Sequence, residues 1–255
     1  MDSAAEREPP VTPLMVPPEA TPIVLYGGTF DPPHRAHLEL PTRVCRWLGA
    51  QPGAAGATRP WIVYVPAARS PFKSKGAAAS DADRVAMLAI AREGVSIRSS
   101  VWTDELDRAE PGQPSYMIQT VERAHRALGP GPTLRLLIGA DQAIRFHDWR
   151  GARRLIELAE PVVMARSLEG PPGRGAAAET ERLIGEMERA AFWSNDELGR
   201  WRERVADVGV IDASATGIRE RIAGGAEDAE LLGVLSPGVL GYIRARGLYG
   251  SRRGS

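Results

Sequence analysis

His34 and His37 stand three residues apart, just beyond a glycine pair, in the stretch IVLYGGTFDPPHRAHLEL from Ile23 to Leu40. If a helix begins at His34 or Arg35, both imidazoles lie on one side of its first turn. An anion placed there would meet unpaired backbone N–H groups, the positive end of the helix dipole and two rings able to donate hydrogen bonds. That suits phosphoryl or nucleotidyl transfer, in which a protein chiefly positions the reactants and stabilises charge around phosphorus. Taken alone, H-x-x-H also fits a metal-ligand pair or two surface histidines; the strand and turn before it favour the anion. Thr29 and Asp31 add oxygens just past the turn.

A second group of anion-binding residues is Ser214, Ala215 and Thr216, with Arg219 three residues on. At a helix N-terminus the hydroxyls, the free N–H groups and the guanidinium would converge on one point, although an ordinary Ser/Thr cap with a solvated arginine has the same letters. Between these groups, GADQ offers Asp141 at the end of a predicted strand, where a carboxylate can accept both hydroxyls of a ribose. Arg69, Lys73 and Lys75 make the loop after a second predicted strand basic.

These residues need strands to carry them to one edge and helices to begin there. Apolar runs predict strands at Ile23–Tyr26, Trp61–Val65, Thr133–Ile138, Pro161–Ala165 and Val208–Ile211, with shorter ones at Val95–Arg98 and Trp102–Leu106. Gly27-Gly28 permits a tight turn, and Pro32-Pro33 precedes rather than interrupts the first helix, which runs to about Leu48. Ser80 with Asp83 begins a helix to about Arg92, Pro114-Ser115 heads another, and Ala152–Leu158, Thr180–Ala191 and Pro237 to about Arg246 complete the set. Trp193 and Trp201 either cover an edge of the core or line a lid. Strands alternating with helices predict an α/β fold with a doubly wound parallel sheet. The expected organisation is a disordered Pro-rich arm over residues 1–21, one domain over 22–249 and a disordered tail over 250–255.

Totals narrow the class further. The chain has 255 residues, 43% of them hydrophobic, and 32 basic residues balance 32 acidic ones, so no basic field points to nucleic acid. Cys45 is the single cysteine, which excludes an intrachain disulfide and any multi-cysteine zinc site. No apolar run approaches membrane-spanning length, and the N-terminal segment has neither the basic nor the apolar region of a signal peptide, so a cytoplasmic protein without a membrane partner is expected.

The motifs taken in order resemble a known family. GGTFDPPHRAH is similar to the signature of nucleotidyltransferases bearing (H/T)-x-G-H, in the G-G-T-F-D-P-x-H form typical of bacterial nicotinate-nucleotide adenylyltransferases, with Ala36 where glycine is usual. SPFK resembles the family's P-P-H-K, SYMIQT its S-Y-T-x-x-T with Met117 for threonine, GADQAIRFHDW its G-x-D-x-x-x-x-[FL]-x-x-W, and DASATGIR its I-S-[SA]-T-x-I-R with Ala213 for isoleucine. The resemblance runs from Tyr26 to Tyr249 and implies a Rossmann-like, three-layer α/β/α fold. It implies adenylyl transfer from ATP to nicotinate mononucleotide, with Mg²⁺ accompanying the ATP. His34, His37, Lys73 and Arg219 would be catalytic. Gly27, Gly28, Thr29, Phe30, Gly139, Asp141, Ser214 and Thr216 would bind ATP. Ser115, Tyr116 and Trp149 would hold the pyridine nucleotide, Trp149 by stacking, and Arg150, where tyrosine is common, could pair with a nicotinate carboxylate. No residue is assigned to a metal, and a homo-oligomer is compatible with this reading. Its alternatives are a sister transferase using nicotinamide mononucleotide or phosphopantetheine, and a non-catalytic nucleotide-binding regulatory module.

Overall fold

A strand covered on both faces needs apolar side chains at successive positions, and Ile23, Val24 and Leu25 are wholly buried. The computed structural model describes residues 10–51, 59–69, 76–94, 98–110, 112–165 and 174–251. Its strands are β1 Ile23–Gly28, β2 Trp61–Pro66, β3 Ser99–Val101, β4 Leu134–Gly139, β5 Glu160–Ala165 and β6 Val205–Asp207. Every neighbouring pair is parallel, in the order β3-β2-β1-β4-β5-β6. The helices are α1 Arg35–Gly49, α2 Asp81–Glu93, α3 Asp104–Asp107, α4 Met117–Leu128, α5 Ala140–Ile144 and α6 Ala152–Leu158, then α7 Arg174–Arg189, α8 Asn195–Glu203, α9 Ala215–Ala223, α10 Asp228–Leu231 and α11 Pro237–Arg246.

The period of two along each strand sorts the core into two layers. Val24, Tyr26, Ile62, Tyr64, Leu137 and Met164 face α1, α2, α9, α10 and α11. Ile23, Leu25, Val63, Val65, Leu136 and Val163 face α4 to α8. The fold is therefore the expected three-layer, doubly wound Rossmann-like sheet. Its strand order reverses between β1 and β4, and the crevice beyond their carboxyl ends is where such sheets take ligands. The chain arrives there with Gly27-Gly28 from β1 and Gly139 from β4.

Several expectations require correction. The last strand is β6, not Val208–Ile211: Gly209 takes a left-handed φ of 68° and breaks the extension that VGVI suggests. Trp102 to Leu106 is not a strand, because Asp104 opens the single turn α3; of the other predicted short strand, residues 95–97 lie outside the described residues and the pairing segment is β3.

Residues 10–20 are not a disordered arm. Val11, Leu14 and Val16 pack against the second layer, and Trp102 Nε1 donates to Thr12 O at 2.9 Å. Arg123 Nη2 donates to Pro10 O at 2.8 Å, and the Thr12 amide donates to Asp104 Oδ1 at 2.8 Å. Prolines hold most of this segment extended, one turn is closed by the Ala20 amide donating to Pro17 O at 3.0 Å, and the Thr12 amide and carbonyl are satisfied by the body. At the other end Ser251, assigned to a disordered tail, is buried and its Oγ donates to Ile243 O at 3.1 Å. Residues 1–9 and 252–255 lie outside the described residues.

Candidate active site

The last two residues of β1 are glycines, so nothing projects from them. A Cβ on Gly27 would lie 2.7 Å from Met117 Cε, and one on Gly28 would lie 2.8 Å from Phe30 Cζ. Phe30 takes a left-handed φ of 49°, which swings its ring inward until it is 1% exposed. There it meets His37 edge-on at 5.1 Å and Tyr64 at 5.7 Å between centroids. The Phe30 ring therefore supports the histidine from the core, and only its backbone is left to face the ligand side.

His34 caps α1 in extended backbone, and His37 is the third residue of its first turn. The two rings stack at 3.7 Å with 26° between their planes. The His34 amide donates to His37 Nδ1 at 3.3 Å, so in the neutral ring the proton resides on Nε2. Tyr64 OH donates to His37 O at 3.2 Å, fixing the turn from beneath. Ala36 points into the core and is 2% exposed, so its methyl does not crowd the ligand side.

The second predicted anion group is brought to the first. Arg219 Nη1 donates to Asp31 O at 2.6 Å, and Nη2 donates to Thr216 Oγ1 at 3.1 Å, which leaves the Thr216 hydroxyl its proton to donate. Ser214 caps α9, its Oγ accepting the Gly217 amide at 3.1 Å. The Asp31 carboxylate accepts from the Ala78 and Ala79 amides at 2.6 and 3.2 Å and from Tyr249 OH at 2.6 Å. Burial and that bond to Asp31 push the Tyr249 hydroxyl above its ordinary range, so it remains a donor. Asp31 thus fastens the GGTFDP turn to α9, to the segment before α2 and to the turn after α11.

On the other side of Gly27, Gly28 and Thr29 opens a cavity of about 360 Å³, also lined by Ser115, Tyr116, Met117, Trp149 and Arg150. The predicted pyridine-site residues are therefore together. Trp149 stacks on Phe146 at 4.9 Å and 24°, and Phe146 meets the fully buried Trp201 edge-on at 5.2 Å and Trp193 at 6.4 Å. Trp193 and Trp201 are core, and they brace the ring that carries Trp149. Asp141 is exposed in the first turn of α5, its Oδ1 so close over Gly139 that a Cβ there would stand 2.6 Å away. Asp141 does not line the cavity, whereas its neighbour Gln142 does. Lys73 and Lys75 lie outside the described residues.

Two charged residues were missed in the sequence. Arg84, wholly buried, donates through Nη1 to Thr29 O at 2.7 Å and through Nη2 to Asp81 Oδ1 at 2.6 Å. Glu105 is buried at the cavity wall; burial raises its carboxyl above the usual range, against the lowering effects of Arg108 and of bonds from Ser115, Ala68 and Thr120. Only their neighbourhood to motif residues, Glu105 ten residues before Ser115, could have drawn attention to them.

Comparison with known proteins gives a consistent set. The cytidylyltransferase-like family profile matches residues 25–221. A protein of Desulfatibacillum aliphaticivorans named "Probable nicotinate-nucleotide adenylyltransferase" is 30% identical over 233 residues, covering 88% of this chain and 98% of that protein. One of the same name from Laribacter hongkongensis is 33% identical over 231 residues, covering 90% and 94%. Among solved structures, the Plasmodium falciparum nicotinic acid mononucleotide adenylyltransferase complexed with NaAD aligns with a TM-score of 0.57 at 16% identity, over 92% of this chain and all of that one, a likeness of fold.

Proposed function

Since the chain belongs to the cytidylyltransferase-like family and, within it, to the nicotinate-nucleotide adenylyltransferases, we propose the following division of labour in its site. The protein is an enzyme of NAD biosynthesis: it transfers the adenylyl group of ATP to nicotinate mononucleotide, giving nicotinate adenine dinucleotide and pyrophosphate. One observation carries the assignment of the site to that reaction. The Gly27-to-Asp31 turn separates a paired-histidine helix start, joined by Arg219, from an aromatic cavity, so a nucleoside triphosphate and a pyridine nucleotide can meet across it.

The mononucleotide phosphate attacks the α-phosphorus in line; a P–O bond forms there as the bond to the pyrophosphate oxygen breaks, and no covalent enzyme intermediate is needed. That phosphate is already ionised near neutrality, so the site needs positioning and charge stabilisation rather than a strong base. His37 Nε2 and His34 hold the ATP phosphates and the charge developing at the α-phosphorus. Arg219, Lys73 and the hydroxyls of Ser214 and Thr216 bind the β- and γ-phosphates, and Gly139 and Asp141 border the adenosine. Ser115, Tyr116, Trp149 and Arg150 take the pyridine nucleotide. Among the described residues no cluster of three His, Cys, Asp or Glu could hold a metal. Mg²⁺ would accompany the ATP as part of the substrate, where it would help neutralise the triphosphate. No described helix is long and apolar enough to cross a membrane, and the cytoplasm, where ATP is plentiful, is the proposed place of action.

Pyrophosphate release with Mg²⁺ and ATP, comparing nicotinate mononucleotide, nicotinamide mononucleotide and phosphopantetheine, tests this. Preference for the nicotinate form supports it, and preference for either other acceptor would reassign the enzyme to a sister activity. ATP binding without release for any acceptor would make it a binding module.

A further inference from the structure

The cavity beside Trp149 is lined by two carboxylates and, among the described residues, one cation. Both carboxylates are engaged. Asp148 pairs with Arg145 and His147 at 3.3 Å each, and Glu105 is held in the wall by Ser115, Thr120 and Ala68. Arg150 makes no ion pair among the described residues; its guanidinium lies 4.9 Å from the centroid of the Tyr116 ring. A guanidinium laid on an aromatic face keeps its in-plane N–H groups for another partner, and it is one residue from the indole that would stack on the pyridine.

We propose that Arg150 sets the choice of pyridine substituent, pairing with a ring carboxylate in preference to a carboxamide. The proposal rests on the adenylyl-transfer reading above and assigns its acid-over-amide selectivity to one residue. A carboxylate offers two acceptors to the guanidinium fork, whereas a carboxamide offers one oxygen and an NH₂ that meets only donors. Discrimination therefore has an attractive and a repulsive part.

The test is kcat/KM for nicotinate and nicotinamide mononucleotides, with Mg²⁺ and ATP, in the wild-type full chain and in Arg150→Met and Arg150→Lys. Methionine keeps an apolar stem over Tyr116 without the charge, and Arg150 is exposed, so the thermal midpoint should hold. The acid-to-amide ratio is expected to fall about 10- to 100-fold in Arg150→Met, the range a charge-assisted pair commands, and by an intermediate amount in Arg150→Lys. An unchanged ratio, or an equal loss for both acceptors, overturns the proposal while leaving adenylyl transfer intact. If the wild type turns over neither acceptor, the adenylyl-transfer reading falls, and this proposal with it.

Discussion

His37 is held by a bond that also decides what it offers. With Nδ1 accepting from the His34 amide, the neutral ring presents an N–H at Nε2, a donor suited to a phosphate oxygen. His37→Ala should lower kcat by about 100-fold or more, the usual loss for a donor to developing charge, with little change in melting temperature. Steady-state pyrophosphate release checks this, and a near-normal rate defeats the assignment. The adjacent glycines should respond differently to alanine. At Gly28 the new methyl meets a ring locked in the core, so stability should fall by about 1–3 kcal/mol in urea titrations. At Gly27 it meets the mobile end of Met117, which can swing only at the expense of the cavity it lines, so Gly27→Ala should fold and instead raise KM for the pyridine nucleotide. The histidines and glycines were legible because the chemistry needs them at fixed spacing. Arg84 and Glu105 were not, since a buried charge is set by partners remote in sequence. The inward turn of the Phe30 ring was not legible, because nothing in the letters distinguishes a ring turned inward by a left-handed backbone from one turned outward.

Between elements, a buried bidentate pair links α3 to α4, Asp104 with Arg123 at 2.6 and 2.7 Å. Residues 10–20 close over it. Arg123→Met would strand the carboxylate with Arg108, at 3.5 Å, as its one cation among the described residues, and should cost about 3 kcal/mol in chemical denaturation. A shift in midpoint within error would show the pair to be dispensable. The alternating strands and helices were readable because parallel strands are apolar throughout and helices have period 3.6. The docking of residues 10–20 was not, because an extended segment has no periodicity to read and its hydrogen bonds go to side chains about 90 positions away. Likewise β6 was set three residues late, since a short edge strand with Asp207 carries less apolar signal than the VGVI beyond it.

Over the whole molecule, two adjacent carboxyl groups give stability opposite dependences on pH. At Asp104 burial works upward, but the bonds from Arg123 and the Thr12 amide prevail and lower its pKa, so its contribution is present above the unfolded value and is lost as pH falls through the folded one. Glu105 is raised, so its contribution is present below its ordinary 4.5 and is lost as pH rises from there through the folded value. Melting temperature against pH should therefore decline on both flanks, and Glu105→Gln should flatten the upper flank in that window; an unaltered upper flank would contradict the sign. Cys45, pushed to about 12 by burial, should resist iodoacetamide at pH 8 until the protein unfolds, making alkylation a single-site clock for opening. Tyr249 and Asp31 are joined across 218 positions. The ribosome makes Asp31 early and Tyr249 late. A nascent chain thus carries its signature turn long before the residue that fastens it exists, so nucleotide binding should be poor on a stalled chain whose last turn is still in the exit tunnel and should sharpen when that turn emerges.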